Sequence, residues 1–289
     1  AMAMTASAGG LMTNTNYHIA FDRMFARGAT FDIDAAYSNP AGLAWGHEGW
    51  QLSLNLQKPW QNRDIEVLGK KYPGKASAPI VPALFASYKH DRWALSTMIG
   101  IVGSGGFVKY EEGIPMFNVP IAAMLDANPL AAGYTLDSEM KGKQYIYGGQ
   151  LNFTYKLADC LSAAVGLRAN YYDGYYQGHV VAEKGIKLVN LQLDCPQTGW
   201  GFAPIVGLDF HKGPLTLAAK YEFRTKLNTK NDTKELTVGT MGQDMDVKAM
   251  AEVAGTEGIM AELAKTAFQL REEIKTRGAH VVYGIDIAF

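Results

Sequence analysis

The side chains of this chain that could do chemistry are six histidines, at positions 18, 47, 90, 179, 211 and 280, two cysteines, and a serine set among glycines in Gly103-Ser104-Gly105-Gly106. A metal centre asks for ligands one helical turn or one tight loop apart. No H-x-x-x-H or C-x-x-C occurs, so neither a metal nor another cofactor is expected. A serine nucleophile asks for a sharp strand-to-helix turn, and no G-x-S-x-G is present to make one. The expectation is a protein that is not an enzyme. Charge adds a second exclusion: 27 basic residues against 28 acidic ones give a net charge of -1, which offers nucleic acid no electrostatic footing.

What must position any binding residues is a set of strands. From Trp50, the apolar Trp50, Leu52, Leu54 and Leu56 alternate with Gln51, Ser53, Asn55 and Gln57. Between Tyr145 and Leu157, Tyr147, Leu151, Phe153 and Tyr155 face one way and Gln150, Asn152, Thr154 and Lys156 the other. The pattern recurs over 161–171, 215–224 and 281–289, and a period of two is the signature of a strand with one greasy and one polar face. About eight strands are expected, near 49–60, 80–90, 92–102, 144–157, 160–175, 200–211, 214–228 and 279–289. No apolar run is long enough for a membrane helix.

Alternation alone fits a soluble sandwich as well as a membrane barrel. Large aromatic residues at strand ends, such as Trp50 and Trp60 ten residues apart, favour the barrel, as does a polar face mixing Lys, Glu, Arg, Asn and Gln. The expected fold class is therefore all-β, an antiparallel transmembrane β-barrel in the outer membrane of a Gram-negative cell. Short connections at 89–92, 158–160 and 211–214 alternate with long ones at 58–79, 103–144, 172–199 and 228–278, which puts both chain ends in the periplasm. Cys160 then lies in a periplasmic turn and Cys195 in an extracellular loop, too far apart to pair. Helical spacing within the long connections predicts helices over 119–125 and 247–276.

Residues 1–8 end in Ala6-Ser7-Ala8, an A-x-A-like site that reads as the remnant of a secretory signal peptide; a cloning remnant is the plainer alternative. Residues 9–48 do not alternate but carry Ile19, Phe21, Phe25, Phe31, Ile33 and Leu43, which something must bury. The natural place is inside the barrel formed by 49–289, as a plug. The segment Tyr37-Ser38-Asn39-Pro40-Ala41-Gly42-Leu43, preceded by the small-residue run Ala26-Arg27-Gly28-Ala29-Thr30, resembles the N-terminal hatch of the long-chain fatty-acid transporter (FadL/TodX) family of outer-membrane proteins. The likeness lies in the hatch motif Asn39, Pro40, Ala41 and Gly42, and runs more loosely to about Lys226.

The resemblance implies transport: a long-chain fatty acid or other hydrophobic small molecule binds in the barrel and leaves sideways into outer-membrane lipid, beside a kinked third strand. The matching strand, Trp93 to Val102, runs into Gly103, Gly105 and Gly106, which either form that kink or begin a loop. Phe21, Phe25, Phe31, Leu43, Met116 and Phe117 are the candidates to line the route, and Arg27 and Lys109 the cations that could meet a carboxylate. The strand ending at Phe289 looks like the signal that barrel assembly machinery reads. The family builds more strands than the eight visible here, and an eight-stranded barrel has no room for a plug of this size, so the chain is expected to be part of a larger barrel. The alternatives are a structural or adhesive barrel, and an outer-membrane hydrolase.

Overall fold

A computed structural model of the chain describes residues 18–20, 27–78, 80–240, 242–246 and 284–288. Helix α1 (Ala35–Ser38) and a 3₁₀ turn (Pro40–Trp45) precede β1 (Gly49–Gln57), the short strands β2 (Trp60–Asn62), β3 (Ile65–Val67), β4 (Lys70–Tyr72) and β5 (Gly74–Ser77), then β6 (Val81–His90) and β7 (Trp93–Tyr110). Helix α2 (Pro115–Asp126) leads to three long strands, β8 (Thr135–Ala158), β9 (Leu161–Lys184) and β10 (Ile186–Lys212), followed by β11 (Leu215–Glu222), β12 (Asn228–Asn231), β13 (Glu235–Thr240), β14 (Gln243–Asp246) and β15 (Gly284–Ala288).

The fold is all-β and antiparallel. Strands β1, β6, β7, β8, β9, β10, β11 and β15 pair in that order, so the eight expected strands are all present. Among the described residues no ladder joins β15 to β1. The connections at 103–144 and 172–199 differ from the expected loops. Strands β7 and β8 run on into both ends of the first, β9 and β10 fill nearly all of the second, and β9 turns directly into β10 at Gly185, whose φ of 74° suits a residue without a side chain. Cys195 accordingly sits inside β10 opposite Tyr176, while Cys160 lies in the turn before β9, and both are free thiols. The helix expected over 119–125 is α2; the one expected over 247–276 lies outside the described residues, as do residues 1–8 and Phe289.

The two faces of the sheet are inverted relative to a water-soluble protein. Trp50, Leu52, Leu54 and Leu56 are between 61% and 79% exposed, as is Leu151 at 69%, whereas Gln150, Asn152, Thr154, Ser162, Arg168 and Asp209 on the opposite face are buried. Burial comes from the segment 27–48. Its residues Ile33, Ala35, Tyr37 and Leu43 pack with Phe85 of β6, Met98 of β7 and Ile146 of β8, and the Tyr37 carbonyl reaches Lys220 of β11. The segment therefore reaches across the face of the sheet from β6 to β11, strands about 24 Å apart in a flat sheet.

Arg168 is the largest side chain buried on that inner face. Its guanidinium donates to both Glu222 oxygens at 2.6 and 3.1 Å and to Gln150 Oε1 at 2.7 and 2.9 Å, joining β8, β9 and β11. Replacing Arg168 by Met keeps most of the volume but leaves Glu222 with Lys220 alone. The expected cost is about 3 kcal/mol, with much of it recovered in Arg168→Met/Glu222→Met. Urea midpoints of the refolded variants check this.

Candidate functional site

The expected hatch motif is the point at which the N-terminal segment is fastened to the wall. Pro40 opens the 3₁₀ turn, and the Asn39 side chain caps it by accepting from the Ala41 N–H at 3.3 Å. The same side chain donates to the Leu208 carbonyl of β10 at 3.0 Å. Gly42 has no alternative, since a Cβ there would collide with the Thr30 carbonyl; the two sequence runs that carry the resemblance touch at this point. Backbone carbonyls of the segment then accept from inward side chains of the wall. Gln150 and Asn152 both donate to Ala36 at 2.9 Å, Thr154 to Pro40 at 2.7 Å, Ser162 to Ala41 at 2.8 Å and Lys220 to Tyr37 at 2.8 Å. Arg168 and Lys220 also flank the Tyr37 ring, 4.7 and 4.8 Å from its centre.

The remaining expected site residues are dispersed. Phe21 and Phe25 lie outside the described residues. Phe31 packs edge-on against His211 with ring centres 4.9 Å apart, and Leu43 is in the core beneath Phe85, so both anchor the segment. Met116 and Phe117 sit on α2, far along the chain from the hatch, with Met116 exposed. Arg27 is held by Asp34 at 2.6 Å and Asp32 at 2.8 Å, a pairing that raises the affinity of its guanidinium for the proton. Lys109 is paired with Glu139 at 2.9 Å, which likewise raises its pKa. Both cations are thus already paired with carboxylates.

Gly103, Gly105 and Gly106 lie within β7 and not in a loop. The strand is bulged twice against β8, between Ile101 and Gly103 and between Ser104 and Gly106, and Gly106 has a φ of 74°. On its other side the β6 ladder stops at the Ala83–Gly100 pair and the β5 ladder starts at Ser77–Phe107. A cavity of about 530 Å³ occupies this break, lined by Gln57, Trp60, Arg63, Ile101, Phe107 and Tyr145 among others. Gln57 ends the inward row of β1, whereas Ile101 and Tyr145 belong to outward rows, yet these two are only 5% and 8% exposed because Ala78 and Val81 pack over them. The cavity is thus bounded by side chains from both faces of the wall.

Sequence reasoning missed Arg168, Glu222 and Lys220, whose partners are far away in sequence, and Ala76, Ala78 and Arg63 around the cavity. One serine and histidine do meet, His18 Nε2 and Ser53 Oγ at 3.2 Å, but His18 Nδ1 accepts from the Ala20 N–H, so Nε2 is the donor and cannot take the serine proton. No protein-family model, curated protein or solved structure matches this chain.

A Cβ at Gly207 would run into Asn39 Oδ1. Gly207→Ala is therefore expected to displace Asn39 and free the N-terminal segment. Limited proteolysis should cut within residues 27–48 faster than in the parent, with the strands still protected.

Proposed function

We propose that this chain forms part of an outer-membrane β-barrel of the long-chain fatty-acid transporter type, with residues 27–48 as its plug and hydrophobic compounds, long-chain fatty acids first, as its cargo. The observation that carries the membrane half of this reading is an apolar outer face bounded by two aromatic rows. At one end, Trp50, Tyr88 and Trp93 stand side by side across β1, β6 and β7, with ring centres 4.9 and 5.7 Å apart, and Tyr155 pairs with Trp93. At the other end, Tyr147, Tyr171 and Trp200 line up across β8, β9 and β10 at 6.5 and 4.7 Å. The rows are eight residues apart on β8, or about 27 Å of antiparallel strand, and once tilted this covers most of the roughly 25 Å apolar band of an outer-membrane barrel. Between them the outward side chains include Leu151, Phe153, Val165, Leu167, Phe202 and Val206, all substantially exposed.

The transport half is supported by the hatch motif and by the break beside β7. A hydrocarbon chain gains roughly 0.8 kcal/mol per methylene on leaving water, so a wet pore would retain it while an opening toward lipid would release it. The break gives such an opening a place in the wall.

Two experiments test the reading. Leu151→Arg, midway between the aromatic rows, is expected to cost about 2 to 4 kcal/mol on refolding into lipid vesicles, and Leu157→Arg, beyond the lower row, about 0 to 1 kcal/mol. On a sheet bathed in water these two exposed positions would tolerate arginine equally. In proteoliposomes, delivery of a labelled long-chain fatty acid to the bilayer should be saturable. Ala76→Trp, which fills the cavity, should slow it several-fold with the fold retained; delivery no faster than in protein-free vesicles would leave the structural or adhesive barrel.

A further inference from the structure

Strands β8, β9 and β10 continue well past the upper aromatic row in unbroken register, so each face can be followed row by row. The face that carries Gln150 and Arg168 changes character there. Going outward, its opposed positions are Ile146, Tyr172 and Gly199; Gln144, Gly174 and Gln197; Gly142, Tyr176 and Cys195; Met140, Gly178 and Leu193; Ser138, Val180 and Leu191; and Leu136, Ala182 and Val189. None of these is charged, and Leu236 and Val238 of β13 extend the same rows. The opposite face of the same strands carries Lys141, Lys143, Asp173, His179 and Asp194.

The glycines on the inner face have a shared role. A Cβ at Gly178 would strike Met140, one at Gly174 would strike the Tyr172 hydroxyl, and Tyr176 lies in contact over Gly142. Long side chains therefore lie flat across bare backbone, giving a smooth floor. It is about 34 Å long from Leu136 to Ile146, longer than an extended long-chain acyl group. Its outer end is roofed by the cluster of α2 residues Ile121 and Leu125 with Ala182 and Val189. Its inner end joins the core around Tyr172, Ile146 and Val102. The first cations below it, Arg168 and Lys220, are already engaged by Glu222, Gln150 and Tyr37.

We propose that this charge-free inner face of the β8–β9–β10 extension is the binding trough for the cargo's hydrocarbon part, and that it selects for apolar length without reading a carboxylate. The proposal rests on the transporter reading above and narrows it. Among the described residues the cations that border this face, Lys184 on the Leu130 carbonyl at its outer end and Arg168 and Lys220 at its inner end, are all engaged, so an ionised acid gains little over its ester.

The test is competition against a labelled fatty acid on the detergent-purified full chain, using hexadecanoic acid, its methyl ester and hexadecanol at a pH where the acid is ionised. The three are expected to compete within about threefold of one another. Leu193→Lys, which puts a cation in the floor, should shift the preference toward the acid by about tenfold, the scale of one charge-assisted hydrogen bond. Thr198→Lys, on the exposed opposite face of the same strand, should not. Leu236→Lys, in the same row one strand over, serves where Leu193→Lys does not fold. An acid that outcompetes its ester more than about tenfold on the parent chain, or a folded Leu193→Lys with unchanged preference, overturns the trough but leaves transport standing. Failure of all three probes to bind the folded chain overturns both.

Discussion

The constraint on which the rest of this structure depends is that the polar rows of the sheet are satisfied from within. Gln150, Asn152, Thr154, Ser162 and Lys220 spend their donors on carbonyls of residues 36–41, and a buried side-chain amide without such a partner would cost more than the bond itself returns. The N-terminal segment and the inner face therefore specify one another. Asn39 binds the segment's own turn and the β10 backbone with opposite ends of a single amide, which is why an asparagine suits this position.

With its polar rows turned inward, the sheet between the two aromatic rows shows its surroundings a largely apolar face. Water is a poor solvent for a continuous surface of Leu, Val and Phe, and on the proposed reading lipid takes its place. The same strands then divide their labour by height. At the level of Arg168 the inner face is a hydrogen-bonded lock; a few rows further out, on identical strands in identical register, it is bare glycine crossed by Met140, Tyr172 and Tyr176. Between these levels β7 is bulged and its ladder broken. The weak point of the wall thus adjoins the place where the inner surface changes from uncharged to charged, where on the proposed reading a hydrophobic molecule moving inward would meet its first barrier.

Much of this was legible in the sequence because a period of two survives any context: the eight strands fall where Trp50 to Gln57, Tyr145 to Leu157 and Leu215 to Arg224 place them, and α2 begins at Pro115, near where its spacing suggests. The extension was not legible. Residues 172–199 mix tyrosine and glycine, and glycine reads as loop unless a neighbouring strand's side chain is known to lie across it, as Met140 lies across Gly178. Nor was the lock, since Arg168 meets Glu222 at a separation of 54 residues and no local pattern announces such a pair. The hatch motif was visible as a string of letters, but its reason was not: Gly42 is required by the Thr30 carbonyl and Asn39 by Leu208. Arg27 shows the converse, a cation open to a ligand in the sequence and occupied by Asp34 and Asp32 in the fold.

The central claim is that the outer face meets lipid and the inner face does not. Spin labels placed one at a time along β8 from Tyr147 to Leu157, in the chain reconstituted into lipid vesicles, test it through collision with oxygen, which concentrates in the bilayer, and with a water-soluble nickel chelate. The account predicts a two-residue period in which Gly149, Leu151 and Phe153 are open to oxygen and closed to nickel, with Gly148, Gln150 and Asn152 shielded from both. Nickel access at Leu151 and Phe153 equal to that of a label on an extracellular loop would contradict it.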